Sequence, residues 1–163
     1  MSSTITSTGT LIDETVFGGK IFIDGEWVDG EGGTAASLEP ATGATLATVG
    51  IAGPGDVTRA AEGAARAQKE WAATPHPARA AVLRRAGQLW EQYAEEIGGW
   101  NTREVGAIPP LAGFALHVTA AECYEASALP SAPLGSVLSS EEPRLSFAQQ
   151  MPVGVVGVIS PFN

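Results

Sequence analysis

Hydrophobic and polar residues alternate in the first part of the chain, then switch to three- and four-residue spacing, then alternate again. In "KIFIDGEWVDGEGG", Ile21 and Ile23 alternate with Phe22 and Asp24, Asp24-Gly25 supplies a tight turn, and Trp27-Val28 begins a return strand. That pattern predicts a β-hairpin. In "SLEPATGATLATVGIA", Pro40 pre-sets φ for a turn and Gly43 is available for positive φ, ahead of a strand from Thr45 to Ile51. Residues 1–17 are rich in Ser and Thr and read as a flexible tail.

The middle of the chain reads as helices. Asp56 suits an N-cap, and Val57, Ala60, Ala61, Ala64, Gln68 and Trp71 fall along one face after it. "TPHPARA" breaks that helix, and Pro77 suits the first turn of the next. There Val82, Ala86, Leu89, Trp90, Tyr93 and Ile97 form the apolar stripe, with an end or bend expected at Gly98-Gly99. A third helix from Pro110 carries Leu111, Phe114, Ala115, Val118, Ala121, Tyr124 and Ala128, and stops before Pro130.

Strands return from Ser136 to Ser140 and from Leu145 to Gln150. The chain closes on "MPVGVVGVISPFN", where every residue from Val153 to Ile159 is Val, Ile or Gly. Such a run between prolines predicts a strand buried on both faces, as in a parallel sheet. A strand of that kind needs neighbours on both sides, so the expectation is that its partners lie outside these 163 residues. The order of strands, helices and strands points to the α/β or α+β class.

Composition narrows the setting. The chain is 44% apolar and 17% charged, enough for one domain with its own core. The net charge of −9, with no basic cluster beyond Arg84-Arg85, sets aside nucleic acid and anionic membranes as partners. The N-terminus lacks the basic start and apolar core of a signal peptide, and no apolar stretch has the length that spans a bilayer. The single cysteine, Cys123, excludes an internal disulfide and a multi-cysteine metal site. It fits a reducing compartment, and the cytoplasm is the expected location.

Candidate chemistry is sparse. Gly154 and Gly157 sit in V-G-V-V-G, which is not the G-x-G-x-x-G of a dinucleotide fingerprint, and they read as allowing close backbone approach. Cys123, within "AAECYEA", reads as a packing cysteine with no base to activate it. His76 reads as an exposed linker residue and His117 as a packing or surface residue; so separated, they make no metal motif. Glu95-Glu96 and Glu141-Glu142 read as solvated surface. Asn163 follows Pro-Phe at the C-terminal end of a parallel-type strand, where open α/β sheets place ligands. Its amide suits donation to a developing oxyanion, and a plain strand-end asparagine is the competing reading.

Several ordered stretches resemble the aldehyde dehydrogenases. "MPVGVVGVISPFN" resembles the family segment that usually ends in Pro-Trp-Asn. "FIDGEWV", "EPATGATLATV", the Asp56 helix ending in "AQKEWAATP", and "ARAAVLRRAGQLWE" follow in family order. Arg103-Glu104-Val105-Gly106-Ala107-Ile108 stands where most of the superfamily carries a Glu-Thr-Gly-Lys-like stretch, and is similar to the benzaldehyde dehydrogenase branch.

This resemblance implies NAD(P)-dependent oxidation of an aromatic, benzaldehyde-like aldehyde to its acid, with NAD favoured over NADP. In the family a cysteine thiolate attacks the aldehyde, hydride passes to the nicotinamide, and a glutamate-activated water releases the acid. Asn163 matches the asparagine that holds the oxyanion, and Ile159, Ser160, Pro161 and Phe162 match the strand-end residues that line the cofactor. Phe162 keeps the aromatic bulk of the usual Trp and loses its indole N–H.

The implied fold is α/β, the N-terminal part of the aldehyde dehydrogenase fold. It comprises an opening β-hairpin, a helical layer, bridging strands and the first strand of a Rossmann-like parallel sheet. Residues 18–163 would form part of the cofactor-binding domain. Within them, residues 136–151 lie in the region that joins subunits of a homodimer or homotetramer. The family's nucleophilic cysteine and catalytic glutamate fall beyond Asn163, and Cys123 does not match the nucleophile. The 163 residues alone are therefore expected to be inactive, and sticky through the unpaired closing strand. The rival readings are a truncated, non-enzymatic scaffold that binds a partner through its strands, and a product with no function.

Overall fold

The computed structural model describes residues 11–160. Most of the segment read as a tail, and the site positions Pro161, Phe162 and Asn163, therefore lie outside the described residues. Residues 11–17 carry structure. A one-turn helix, α1 (Glu14–Phe17), is capped by Asp13, whose Oδ1 accepts the Thr15 N–H at 2.9 Å.

The hairpin forms as read. Strands β1 (Lys20–Ile23) and β2 (Glu26–Asp29) pair antiparallel, with Ile21 opposite Val28 and Phe22 opposite Trp27. Asp24 at φ 54 and Gly25 at φ 88 are both left-handed, as a two-residue type I′ turn requires. The Trp27 ring lies 5.1 Å from that of Phe22 and 5.9 Å from that of Phe17.

A second ribbon pairs β3 (Thr34–Leu38) with β4 (Thr45–Gly50), around a turn in which Gly43 takes φ 73. Strand β3 is not evident in the sequence, because Thr-Ala-Ala-Ser-Leu carries little β-branched or aromatic signal.

Helix α2 (Pro54–Ala73) begins at Gly53, so Asp56 is its third residue and not its N-cap. From there Asp56 Oδ2 accepts the N–H groups of both Gly53 and Glu31 at 2.8 Å, and its other oxygen pairs with Arg59. It is the reaching-back half of a capping box, with glycine opposite. Asp56 is 1% exposed. The apolar stripe expected to face a core is open instead, with Val57 63% and Trp71 44% exposed. The side of α2 that packs is Asp56 and Gly63, the latter lying against Asp24 of the hairpin turn.

Helices α3 (His76–Gln92) and α4 (Ala94–Val105) meet at Tyr93, whose φ −106 and ψ 17 interrupt the helical run. The expected bend at Gly98-Gly99 does not occur. Helix α4 continues through both glycines to a left-handed Gly106 at φ 74. Glycine inside a helix costs about 1 kcal/mol relative to alanine, too little to stop it unaided.

Helix α5 (Pro109–Ala128) packs on α3 and α4 through Ala112, Ala120 and Ser127, not through the predicted stripe. Leu111 and Phe114 are exposed. A helix apolar all round gives periodicity no face to choose, and the small residues won because they let the helices approach closely. Gly87 of α3 is buried at that crossing, where a Cβ would stand 2.8 Å from Tyr124 Cε1.

Strands β5 (Gly135–Leu138) and β6 (Ser146–Gln149) form a third antiparallel ribbon. The closing run is not a strand: residues 151–160 carry no regular element and are exposed throughout. A strand exists only with a hydrogen-bonded neighbour. Among the described residues the three sheets are separate two-stranded ribbons, none of which extends to it.

Two outcomes test this packing. Gly87→Val should force α3 and α5 apart and cost about 1–3 kcal/mol, read as a lower urea midpoint at unchanged m-value. The Asp56 carboxyl is held below its usual value, first by the Gly53 N–H, then by the Glu31 N–H and Arg59. A depressed folded value stabilises above the unfolded value, about 3.9, and that stability is lost as pH falls through the folded one. Asp56→Asn should therefore lower the thermal midpoint at pH 7, with the gap from the parent closing at more acid pH.

Candidate functional site

Of the positions singled out by sequence, Ile159 and Ser160 fall at the end of the described chain. Ile159 is 95% exposed and Val153 89% exposed, and Ser160 is likewise open. Gln150 donates its N–H to the carbonyl of Leu134, the residue before β5, at 2.6 Å. Beyond that bond, among the described residues, the backbone of 151–160 makes no hydrogen bond. Gly154 takes φ 96, a conformation that glycine adopts without strain.

The segment from Met151 to Ser160 has apolar side chains, unpaired amides, one hydroxyl and no ionisable side chain. It offers shape and hydrogen-bond donors and no acid or base. Its backbone amides and hydroxyl are donors a dinucleotide could use, and it holds no carboxylate that would repel a phosphate.

The structure adds a concavity that the sequence did not reveal. A groove of about 860 Å³ lies between α4 and α5, closed at one end by α3. Trp90, Ala112, Leu116 and Ala120 line it, with Gly98 and Gly113 leaving room along its sides. At the α3 end the Tyr124 hydroxyl donates to Glu91 at 2.7 Å. The Glu91 carboxylate favours the neutral phenol by that bond, and with burial raises the Tyr124 pKa above its ordinary value. Tyr124 is thus a fixed donor in the groove wall and not a base. No sequence signal marked the groove, because its two helices meet through a loop and expose different registers.

The other candidates fall into place singly. Cys123 is half-buried within α5, one residue from Tyr124. His117 is exposed on the rim of the groove, and His76 is the exposed first residue of α3. Glu142 is exposed and pairs with Arg144 at 3.5 Å. Glu96, read as solvated surface, is instead half-buried and accepts the N–H groups of Leu11 and Ile12. Arg103 pairs with Glu39 at 2.8 Å and lies 5.9 Å from the Trp100 ring, tying the end of α4 to the β3–β4 turn. Among the described residues no group of three or more His, Cys, Asp or Glu is placed to hold a metal ion. No described helix is long and apolar enough to cross a membrane.

Comparison with known proteins gives these pieces a common frame. The chain is 56% identical over 154 residues to a vanillin dehydrogenase of Amycolatopsis sp., covering 94% of this chain and 32% of that protein. It is 39% identical over 152 residues to an NAD(+) benzaldehyde dehydrogenase of Pseudomonas putida, covering 93% of this chain and 31% of the other. The chain thus spans about a third of the length of the curated relatives it matches.

Among solved structures, an NAD-dependent benzaldehyde dehydrogenase from Corynebacterium glutamicum superposes with a TM-score of 0.74 at 31% identity, over 83% of this chain and 29% of that one. A betaine aldehyde dehydrogenase from Staphylococcus aureus gives 0.73 at 20% identity, over 78% and 26%, and shares the fold. The hairpin, helical layer and final ribbon are thus the N-terminal part of a larger known architecture. The aldehyde dehydrogenase family model matches residues 27–163, which leaves out little beyond the first strand and what precedes it, and the chain belongs to the aldehyde dehydrogenase family.

Proposed function

We propose that the whole protein oxidises an aromatic aldehyde to its carboxylic acid with NAD, and that this chain supplies the strand-end part of the cofactor site and an oxyanion donor. What carries the reading is the likeness, over nearly the whole chain, to vanillin and benzaldehyde dehydrogenases. NAD is preferred to NADP because the two benzaldehyde dehydrogenases that the chain resembles are named as NAD-dependent. The balanced reaction takes aldehyde, water and oxidised cofactor to acid, reduced cofactor and a proton. When bound, the nicotinamide accepts the aldehyde hydrogen as hydride.

The roles of this chain's own residues follow from their chemistry. Ile159 and Phe162 offer apolar contact to the cofactor, the Ser160 hydroxyl a polar one, and Pro161 fixes the direction of the chain at the strand end. The Asn163 amide donates to the aldehyde oxygen as it gains negative charge under thiolate attack, without a titrating group of its own. Cys123 is not the thiolate in this reading, since it lies mid-way along a helix that packs against α3 and α4, with no base beside it to activate it. The nucleophile and the general base are then residues that these 163 do not include.

In the same proposal residues 136–151, which hold nearly all of the β5–β6 ribbon, help join subunits of a homodimer or homotetramer, and the protein works in the cytoplasm. The exposed strands and the open face of α5 favour a second reading, a non-enzymatic scaffold that binds its partner through them. The intact mass of the native protein separates the two. A chain of about the relatives' length supports the enzyme, and one of 16.7 kDa supports the scaffold.

Steady-state assays with benzaldehyde and NAD test the residue roles. In the whole protein Asn163→Ala should lower kcat about a hundred- to a thousandfold. Cys123→Ser should leave turnover unchanged. The 163 residues produced alone should show no turnover, and steady activity from them would overturn the assignment of Cys123.

A further inference from the structure

The N-terminal residues are joined to the helical layer in an unusual way. Leu11 and Ile12 present consecutive backbone N–H groups to one carboxylate, with Leu11 N to Glu96 Oε2 at 3.0 Å and Ile12 N to Glu96 Oε1 at 2.9 Å. Consecutive amides aimed at an anion make a compact binding site, and the charge strengthens both bonds. Of the two residues at this junction, Leu11 is 50% exposed and Ile12 half-buried. At the other end of the segment, Gly18 caps α1 and Gly19 takes φ 69 while donating its N–H to the Thr48 carbonyl of β4. Between these ends Phe17 lies against Trp27.

We propose that residues 11–19 form a latched strap, in which Glu96 is the latch, Gly18-Gly19 the hinge, and opening uncovers Trp27 and the adjoining edge of β4. The strap connects α4 to the first two ribbons across more than eighty residues of sequence. Its attachment depends on a carboxylate in particular. Glutamine at position 96 would keep one acceptor and turn an NH₂ toward the second backbone N–H, setting donor against donor. Release therefore requires the loss of the two Glu96 hydrogen bonds and of the Phe17–Trp27 contact, a small set that places the strap among the elements that open below the global unfolding free energy. The inference is independent of the dehydrogenase reading.

Amide hydrogen exchange on the whole protein tests it, with Glu96→Gln as the variant and Glu95→Gln as the neighbouring charge control. The expected result is exchange about tenfold faster or more at Leu11 and Ile12 in the Glu96 variant. Amides of α4 and α5 should be unaffected, and the Glu95 variant should match the parent. Unchanged exchange at Leu11 and Ile12 would overturn the latch. So would faster exchange throughout α4 and α5, which would make Glu96 a general stabiliser, or an equal loosening in the Glu95 variant.

Discussion

The helical layer depends on the close approach of α3 and α5, and that approach depends on the absence of a side chain at Gly87. The Tyr124 ring occupies the space where a Cβ would stand, and its hydroxyl reaches across to Glu91 of the same helix α3. Ala112, Ala120 and Ser127 continue the seam with small groups, the Ser127 hydroxyl donating to the Tyr124 carbonyl at 2.6 Å. Helices that pack through glycine and alanine bury little apolar area per residue but leave few voids. Close fit, more than bulk, positions α4 and the groove beside it.

Between the layers the ties are carboxylates. Asp56 collects two backbone N–H groups and Arg59, Asp24 of the hairpin turn pairs with Arg66 of α2, and Glu39 pairs with Arg103 of α4. Glu96 holds the N-terminal segment in the same manner. The acidic balance of the chain therefore has a structural use, since several of its carboxylates face backbone donors or arginines rather than solvent alone. Asp24–Arg66 is exposed at both ends and contributes modestly. Asp56, buried and fully bonded, matters most.

What remains open is apolar. One face of α2, one face of α5 and the whole closing run expose valine, leucine, phenylalanine and isoleucine to an extent a lone domain seldom tolerates. The chain covers about a third of its relatives' length, and these faces are where further structure would gain most by packing.

The sequence by itself determined the elements whose signal is local. The Asp24-Gly25 turn, the positive φ of Gly43, the helix starts near Pro77 and at Pro109-Pro110, and the family segments from Trp27 onward all rest on residues close together in the chain, whereas the start of α2 was read late, at Asp56. The proposed site at Ile159–Asn163 rests on the same kind of local signal, a motif, and its last three residues lie outside those the structure describes. Tertiary structure decided what depends on distant neighbours: which face of α5 is buried, that α2 turns its apolar stripe outward, and that Glu96 grips the N-terminal segment. It also decided that β3 pairs despite weak propensity, and that the closing run is no strand without a strand beside it. The physical reason is common to all of these. Backbone turns and caps are fixed within a few residues, whereas burial and strand pairing are fixed by whatever surface comes to lie opposite.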